Sequence, residues 1–459
     1  MTFQTKIKEV PGLLYIADSM ELMSAIGRRR MMEQSFLTNA PELNTEQEAT
    51  QLMQEALRSE GNGLAVDKLR HQLMQLHDLR TTLLSLHNHI VINEVELFEI
   101  KNFAHICGYA RQALSEMNLD QQFPLPDLKE VFALLDPDNT GIPNFYIYDS
   151  YDIRLAPIRR EMRSADDIRM SELLAMQNDI QAEVVTWLCD RLQPWANTLL
   201  KAMEQMAYID LVMARAELAK RWNLTRPVIQ EHSSSLQALV NPRLKEHNES
   251  VGLRYQPVDI NLTPGVTLIT GANMAGKTVL LKSVGIAQLM YQFGFPIPCN
   301  QAVMTCVEDV VFCIGDEQNE MNGLSSFASE ITRISEIVER SQHQRLLILI
   351  DEPARTTNPV EGKALVQAII TLLQERDSFT LVTTHYSQLG TTCRRLRVRG
   401  FVEGMVDTTL TAQNINRFID YSLVADESDE VPQEALRIAE MLACNPDIIA
   451  LARKNLQPL

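Results

Sequence analysis

The sequence predicts a mixed α/β domain with a mostly parallel sheet over residues 248–425, preceded by an α-helical region and followed by a short helical tail. Three observations carry this. Short apolar runs, VTLIT, LLILI and FTLVTT, alternate with helical stretches after residue 248, the pattern of parallel strands joined by helices. Upstream, MELMSAIGRRRMMEQSFL and AVDKLRHQLMQLHDLRTTLLSL place apolar residues at three- and four-residue spacing, as amphipathic helices do. Downstream of the acidic DESDE (426–430), VPQEALRIAEMLACNPDIIALARKNL reads as two short helices separated by Asn445-Pro446.

The helical region divides into 1–164 and 165–247. In the first part LLDPDNTGIPNFYIYDSYD (134–152) interrupts the helical period with turn residues and an aromatic, strand-like patch. Residues 165–225 contain no glycine and one proline, Pro194. Sixty helical residues would span about 90 Å, several times an ordinary globular helix, so this segment predicts an arm broken at Pro194. HSSSLQALVNPRLKEHNESVG (232–252) reads as the boundary with the α/β domain, and 426–459 as the tail.

A chain of 459 residues allows about three domains. Hydrophobic residues make up 45% and charged residues 22%, a soluble globular balance, and no apolar run approaches the roughly 18 to 20 residues of a membrane helix. Glu9, Pro11 and Asp18 interrupt the N-terminal stretch where an export signal would be apolar. The seven cysteines form no C-x-x-C pair, and the even spacing of Cys299, Cys306 and Cys313 fits buried thiols rather than zinc ligands. Together these features point to the cytoplasm. The net charge of −17 weighs against strong nonspecific nucleic-acid binding, which needs Lys and Arg at phosphates. Arg28-Arg29-Arg30 and RRLRVR (394–399) are the local basic exceptions, and solvated or salt-bridged surface is their simplest reading.

TLITGANMAGKTVLLKSVG (267–285) contains Gly271-x-x-x-x-Gly276-Lys277-Thr278, between a strand and a helix. That is the context of a phosphate-binding loop. Its glycines let backbone amides face phosphates, and the following helix N-terminus adds partial positive charge. Lys277 is placed to bind β- and γ-phosphates and Thr278 to hold Mg²⁺. Further on, LLILIDEP ends an apolar strand in Asp351-Glu352. An aspartate there can hold Mg²⁺ through water, and the adjacent glutamate can orient and deprotonate an attacking water. FTLVTTHY brings His385 to a strand's C-terminal edge, where it could sense a γ-phosphate. In NGLSSFASEI (322–331), Ser326 with Glu330 forms a loose helix-capping signature. Small residues at a helix start also make an anion site, and both readings stay open.

The order of these elements resembles the ATPase domain of the MutS family of DNA mismatch-repair ATPases. GANMAGKTV answers the family's G-P-N-M-G-G-K-S-T, NGLSSFASEI its S-G-x-S-T-F-x-x-E-M, DEPARTTNP its D-E-x-G-R-G-T-S, and VTTHY its F-A-T-H-Y. The likeness is strong over 240–459 and fainter over 15–225, where LVNPRL and AYIDLVMARAELA (207–219) are similar to the family's approach to the ATPase domain and its returning lever helix. It implies an ABC-type ATPase with ATP and Mg²⁺ at a dimer interface. Gly271, Ala272, Asn273, Met274, Ala275, Gly276, Lys277, Thr278 and Val279 would form the loop. Thr278 and Asp351 would hold the metal. Glu352 would be the catalytic glutamate and His385 the switch histidine. Ser325 matches the serine that reaches the γ-phosphate of the other subunit, Tyr255 the aromatic that stacks on adenine, and the last residues a dimerisation tail.

The departures are as informative. Ala272 and Ala275 replace a proline and a glycine, and Thr356 and Asn358-Pro359 alter the segment that crosses the dimer interface, which bears on rate and cooperativity. IGDEQ (314–318) is most similar to the Smr-tailed branch, but Leu459 is reached with no such tail. No mismatch-reading domain precedes residue 15, no Phe-x-Glu wedge is found, and Tyr151 to Ala207 is too short for two full levers and a DNA clamp. The expected tip, RSADDIRM, is not basic. Two functions follow: a sensor of mismatched or branched DNA with weak DNA contact, or an ATPase that remodels a protein client. Short relatives of the second kind, which this chain resembles in its shortened arm, reactivate adenosylcobalamin-dependent aminomutases. The partner would be a second copy or a related chain, with no membrane.

Overall fold

The computed structural model describes the chain apart from residues 142–145, 273–274, 316–325, 402–417, 427–435, 437–438, 441–443 and 457–459. Helices fill its first half: α1 (Phe3–Glu9), α2 (Pro11–Asp18), α3 (Ala25–Glu33), α4 (Ala40–Arg58), α5 (Gly63–Met74), α6 (Arg80–His87), α7 (Glu94–Glu116), α8 (Lys129–Leu135), α9 (Leu155–Glu161), α10 (Asp167–Leu192) and α11 (Ala196–Trp222). Side-chain caps start several of them. Asn93 and Glu96 form a reciprocal capping box on α7, and Ser24, Asn39 and Asp166 cap α3, α4 and α10.

The helix break falls at Pro194. Gln193–Trp195 forms a single 3₁₀ turn between α10 and α11, because proline lacks the amide an α-helix needs and clashes with the preceding turn. The two halves differ from one continuous arm. Every residue of α11 from Ile209 to Ala216 is buried, so this helix is a central column, with α3, α4 and α6 packed around it. A helix enclosed on all sides cannot project into solvent. Only α10 keeps a single buried stripe, including Leu173, Ile180, Val184 and Leu188. The aromatic segment expected to be strand-like is irregular over its described residues 146–148. There Tyr148 donates to the buried carboxylate of Asp136, which also accepts from Thr140 and Gly141.

The second half contains β1 (Val228–Ile229), β2 (Ser234–Leu239), α12 (Pro242–Ser250), β3 (Val258–Leu262), β4 (Gly265–Thr270), α13 (Lys277–Gln292), β5 (Gln301–Met304), β6 (Asp309–Cys313), α14 (Ser326–Arg340), β7 (Leu346–Asp351), α15 (Pro359–Gln374), β8 (Phe379–Thr383), β9 (Arg394–Phe401), β10 (Ile419–Ala425) and α16 (Pro446–Leu456). Six strands form a sheet in the order β10-β9-β4-β8-β7-β6, parallel from β9 to β6 with β10 antiparallel at the edge. A second sheet has the order β1-β5-β2-β3. The stretch read as a boundary, 232–252, therefore holds β2 and α12. Polar EHSSS conceals a strand whose Ser234, Leu236 and Leu239 are buried. Of the two tail helices, α16 is described and the first lies mostly outside the described residues.

Three cores divide the molecule differently from the sequence. One lies wholly within the helical half. A second joins α1 and α2 to the α/β half, with Phe3, Leu13 and Ile16 sharing a cluster with Leu281, Tyr291 and Phe293. The third packs the other face of the parallel sheet against α14 and α15, with Leu268, Ile348 and Ile350 meeting Ile337, Val366 and Ile370. Gly12 allows this approach, since a Cβ there would lie 2.4 Å from Ile286 Cδ1 on α13. The junction is polar at one point. Arg215 of α11, with no exposed side-chain surface, pairs with Glu46 at 2.5 Å and donates to the Phe293 carbonyl at 2.8 Å. Gln34 and Gln47 donate to the carbonyls of Phe293 and Phe295. The far end of α13 is thus fastened to the helical half. Among the described residues no helix is long and apolar enough to cross a membrane.

Candidate functional site

Strand β4 is buried throughout and ends at Thr270, and the loop to α13 turns on two positive-φ glycines, Gly271 (φ 146°) and Gly276 (φ 77°). Side chains rarely adopt these conformations, and at Gly276 space is also short. A Cβ there would lie 3.1 Å from the ring of Tyr421 on β10. Between the glycines, Ala275 is buried and its amide donates to the Ala272 carbonyl at 3.1 Å. Lys277 opens α13 with 5% of its surface exposed. Its ammonium donates to the carbonyls of Gly271 at 2.7 Å and Ala272 at 3.1 Å, and lies 3.7 Å from Glu352 Oε1. Burial lowers its pKa, against the opposing pull of Glu352 and Asp351.

Strand register brings the acidic pair to the same place. Ile269 of β4 stands opposite Thr383 of β8, which stands opposite Asp351 of β7. Three parallel strands therefore end in one row, the edge where open α/β sheets take ligands. Both Asp351 oxygens are engaged. Thr278 Oγ1 donates to Oδ2 at 2.6 Å and Thr383 Oγ1 to Oδ1 at 2.5 Å. Next in the chain, Glu352 (φ 46°) and Ala354 (φ 59°) are in left-handed backbone on either side of Pro353. Such conformations cost about 1 to 3 kcal/mol each unless the surroundings enforce them, and they concentrate at functional sites. The Glu352 carboxylate sits between Lys277 and Arg355, 3.2 Å from the latter's Nη1.

The remaining residues expected at the site are placed as follows. Val279 lies in the first turn of α13 and is half-buried. His385 is exposed two residues beyond β8, its ring 4.3 Å from that of Tyr386. Tyr255 accepts from the Asn241 amide at 2.8 Å, and the Asn241 side chain donates to Ser283 of α13 at 3.3 Å. Asn241 thus links Tyr255 to the second turn of α13, and burial raises the Tyr255 phenol pKa. Asn273, Met274 and Ser325 lie outside the described residues. Three neighbours were not anticipated from sequence. Thr383 and Glu330 sit inside the quoted motifs, so their chemistry was in view but not their geometry. Tyr421 reaches Gly276 only because β10 pairs back onto β9.

This arrangement fits a nucleotide with a divalent cation. Thr278 and Asp351 bring a hydroxyl and a carboxylate oxygen together, the hard oxygen donors that Mg²⁺ takes. The loop, its lysine and the start of α13 supply donors for phosphate.

Residues 267–459 match the family model described as MutS domain V. The chain is 34% identical to Endonuclease MutS2 of Agathobacter rectalis over 223 residues, covering 48% of this chain and 27% of that protein. It is 38% identical to Endonuclease MutS2 of Thermus thermophilus over 189 residues, 41% of this chain and 24% of the relative. With Endonuclease MutS2 of Thermomicrobium roseum the identity is 31% over 297 residues, 63% of this chain and 36% of the relative. The chain thus spans roughly a quarter to a third of the length of the curated relatives it matches. The glycine loop, the acidic strand end and the histidine-bearing strand all fall inside the segment that is similar to MutS domain V and to the MutS2 relatives.

Proposed function

We propose that this chain is a MutS-family ATPase that binds ATP with Mg²⁺ at the ends of β4, β7 and β8 and couples its hydrolysis to movement of the helical half, in the service of recognising mismatched or branched DNA. The observation that carries the reading is the convergence of Lys277, Thr278, Asp351 and Glu352 on one row of strand ends. Lys277 exchanges the Gly271 and Ala272 carbonyls for phosphate oxygens. Thr278 and Asp351 hold the cation, which neutralises charge on the β- and γ-phosphates. Glu352, released from Lys277, accepts the proton of the attacking water. His385 contacts the γ-phosphate from the neighbouring strand end. Tyr255 flanks the adenine side. Ser325, outside the described residues, reaches the nucleotide of a second subunit, and the tail contributes to the dimer. The fastening of α13 to Arg215, Gln34 and Gln47 supports coupling to the helical half, because one rigid helix runs from Lys277 to that junction. The endonuclease activity in the relatives' name is not carried over, since only a part of those proteins is matched.

The test is Glu352→Gln, which keeps size and loses the base. ATP binding should persist, and steady-state hydrolysis should fall by about 10²-fold or more, the usual scale of a general base. Parent-like turnover of the glutamine variant would remove Glu352 from the role.

A further inference from the structure

The turn after β7 is held in a form it would not adopt alone. Glu352 and Ala354 both have positive φ and neither is glycine, and Pro353 between them removes one amide. Contacts from three other elements enforce it. The Glu352 amide donates to Thr383 Oγ1 at 2.9 Å. The Ala354 carbonyl accepts from the Tyr386 hydroxyl at 3.1 Å. The Ala354 amide donates to Glu330 Oε1 of α14 at 3.3 Å. Gly362 of α15 makes room for the second contact, since a Cβ there would lie 2.2 Å from the Tyr386 oxygen and 3.0 Å from the Ala354 carbonyl. Ala354 is completely buried, so its amide has no solvent to turn to if the acceptor is lost.

We propose that Glu330 is a positioning residue for hydrolysis: by accepting from the Ala354 amide it locks the Glu352-Pro353-Ala354 turn and so aims the Glu352 carboxylate. The reasoning is geometric. The direction of the Glu352 Cα–Cβ bond depends on its own φ, and a turn relaxing to negative φ swings the carboxylate away from Lys277 and the strand-end row. Thr383 fixes the start of the turn, and Glu330 fixes its end. Glu330 also sits at half-buried depth, where burial raises its carboxyl pKa and the Ala354 amide opposes the rise. Among the described residues no cation lies in hydrogen-bond contact with this carboxylate, and the Ala354 amide is a donor it accepts from. The inference rests on the assignment of Glu352 as base.

The experiment measures steady-state Mg-ATP hydrolysis and equilibrium binding of a fluorescent ATP analogue on the full chain. Parent turnover that Glu352→Gln abolishes establishes the underlying reading, and a parent without turnover overturns that reading. Given an active parent, Glu330→Ala should lower kcat at least tenfold, about 1.4 kcal/mol in barrier, while KM and analogue affinity stay within about twofold. Glu330→Gln keeps the acceptor oxygen and should stay within about threefold of the parent. Adding Ala354→Gly to Glu330→Ala should recover part of the lost turnover, since glycine enters the left-handed region without steric cost. If Glu330→Ala does not fold, Glu330→Met, which fills the space without a strong acceptor, takes its place in the comparison. Unchanged kcat in the variant without an acceptor overturns the proposal. So does a Gln variant as slow as the Ala variant, or a loss of nucleotide affinity that accounts for the whole effect.

Discussion

Thr278 and Asp351 are 73 residues apart in the chain, yet the threonine hydroxyl donates to Asp351 Oδ2 at 2.6 Å. The contact exists because β4 and β7 end in one row and α13 begins within reach of both. It places two oxygen donors where one divalent cation can meet both.

Thr278→Val keeps the side-chain shape and removes one of those donors. The Mg²⁺ concentration needed for half-maximal hydrolysis should rise at least tenfold, about 1.4 kcal/mol, and Thr278→Ser should restore it. A magnesium titration of hydrolysis by the three proteins checks this, and an unshifted curve for the valine variant excludes Thr278 as a ligand.

Glu46→Ala should destabilise the chain by about 3 kcal/mol, the lower end for stripping a partner from a buried ion pair, because Glu46 is partly open to solvent. Arg215 would remain buried with its charge uncompensated. Replacing both residues, Glu46→Leu with Arg215→Met, should cost markedly less than the single change. Urea unfolding of the parent and both variants decides, and equal losses would mean that packing rather than charge sets the cost.

Asp136 gives stability a pH dependence. Burial by itself would raise its pKa, but hydrogen bonds from Tyr148, Gly141 and Thr140 outweigh it and hold the carboxyl at about 2. The folded value lies below the unfolded value of about 3.9, so the stabilisation is present above the unfolded pKa and is lost as pH falls through the folded one. The difference in urea midpoint between the parent and Asp136→Asn should therefore be full at about pH 6 and shrink steadily towards about pH 2.5. A gap that stays constant over that window would show that the ionised carboxylate is not what Asn lacks.

Binding to short duplexes at physiological salt should be micromolar or weaker, on the nonspecific scale, with no more than about a tenfold preference for a mismatch. In the expected tip Arg169 is bound by Glu161 and Glu172, and elsewhere in the helical half Arg154 is bound by Asp152 and Glu183 and Arg80 by Glu204. The net charge of −17 adds repulsion. Titrations of heteroduplex, homoduplex and branched DNA, with and without ATP at two salt concentrations, measure it. Nanomolar, mismatch-selective binding would contradict the prediction. Selective binding of branched DNA alone would support the DNA reading in that form, and binding to none would turn the search to a protein client captured by the Glu352→Gln variant.

The sequence by itself determined the local chemistry: a glycine loop between strand and helix, an acidic pair after a buried strand, a histidine after another, and a break at Pro194. These are legible because each depends on residues within one turn or one strand, where spacing and side-chain type fix the backbone. Tertiary structure decided what depends on distant partners. Strand order, set by which backbone edges pair, placed Thr383 on Asp351 and Tyr421 against Gly276. Packing on every side turned α11 from an arm into a column and drew α1 and α2 into the α/β core, although their own periodicity names no partner. The strain at Glu352 and Ala354 was also invisible in DEPA, because left-handed backbone at non-glycine residues is imposed from outside, here by Thr383, Glu330 and Tyr386.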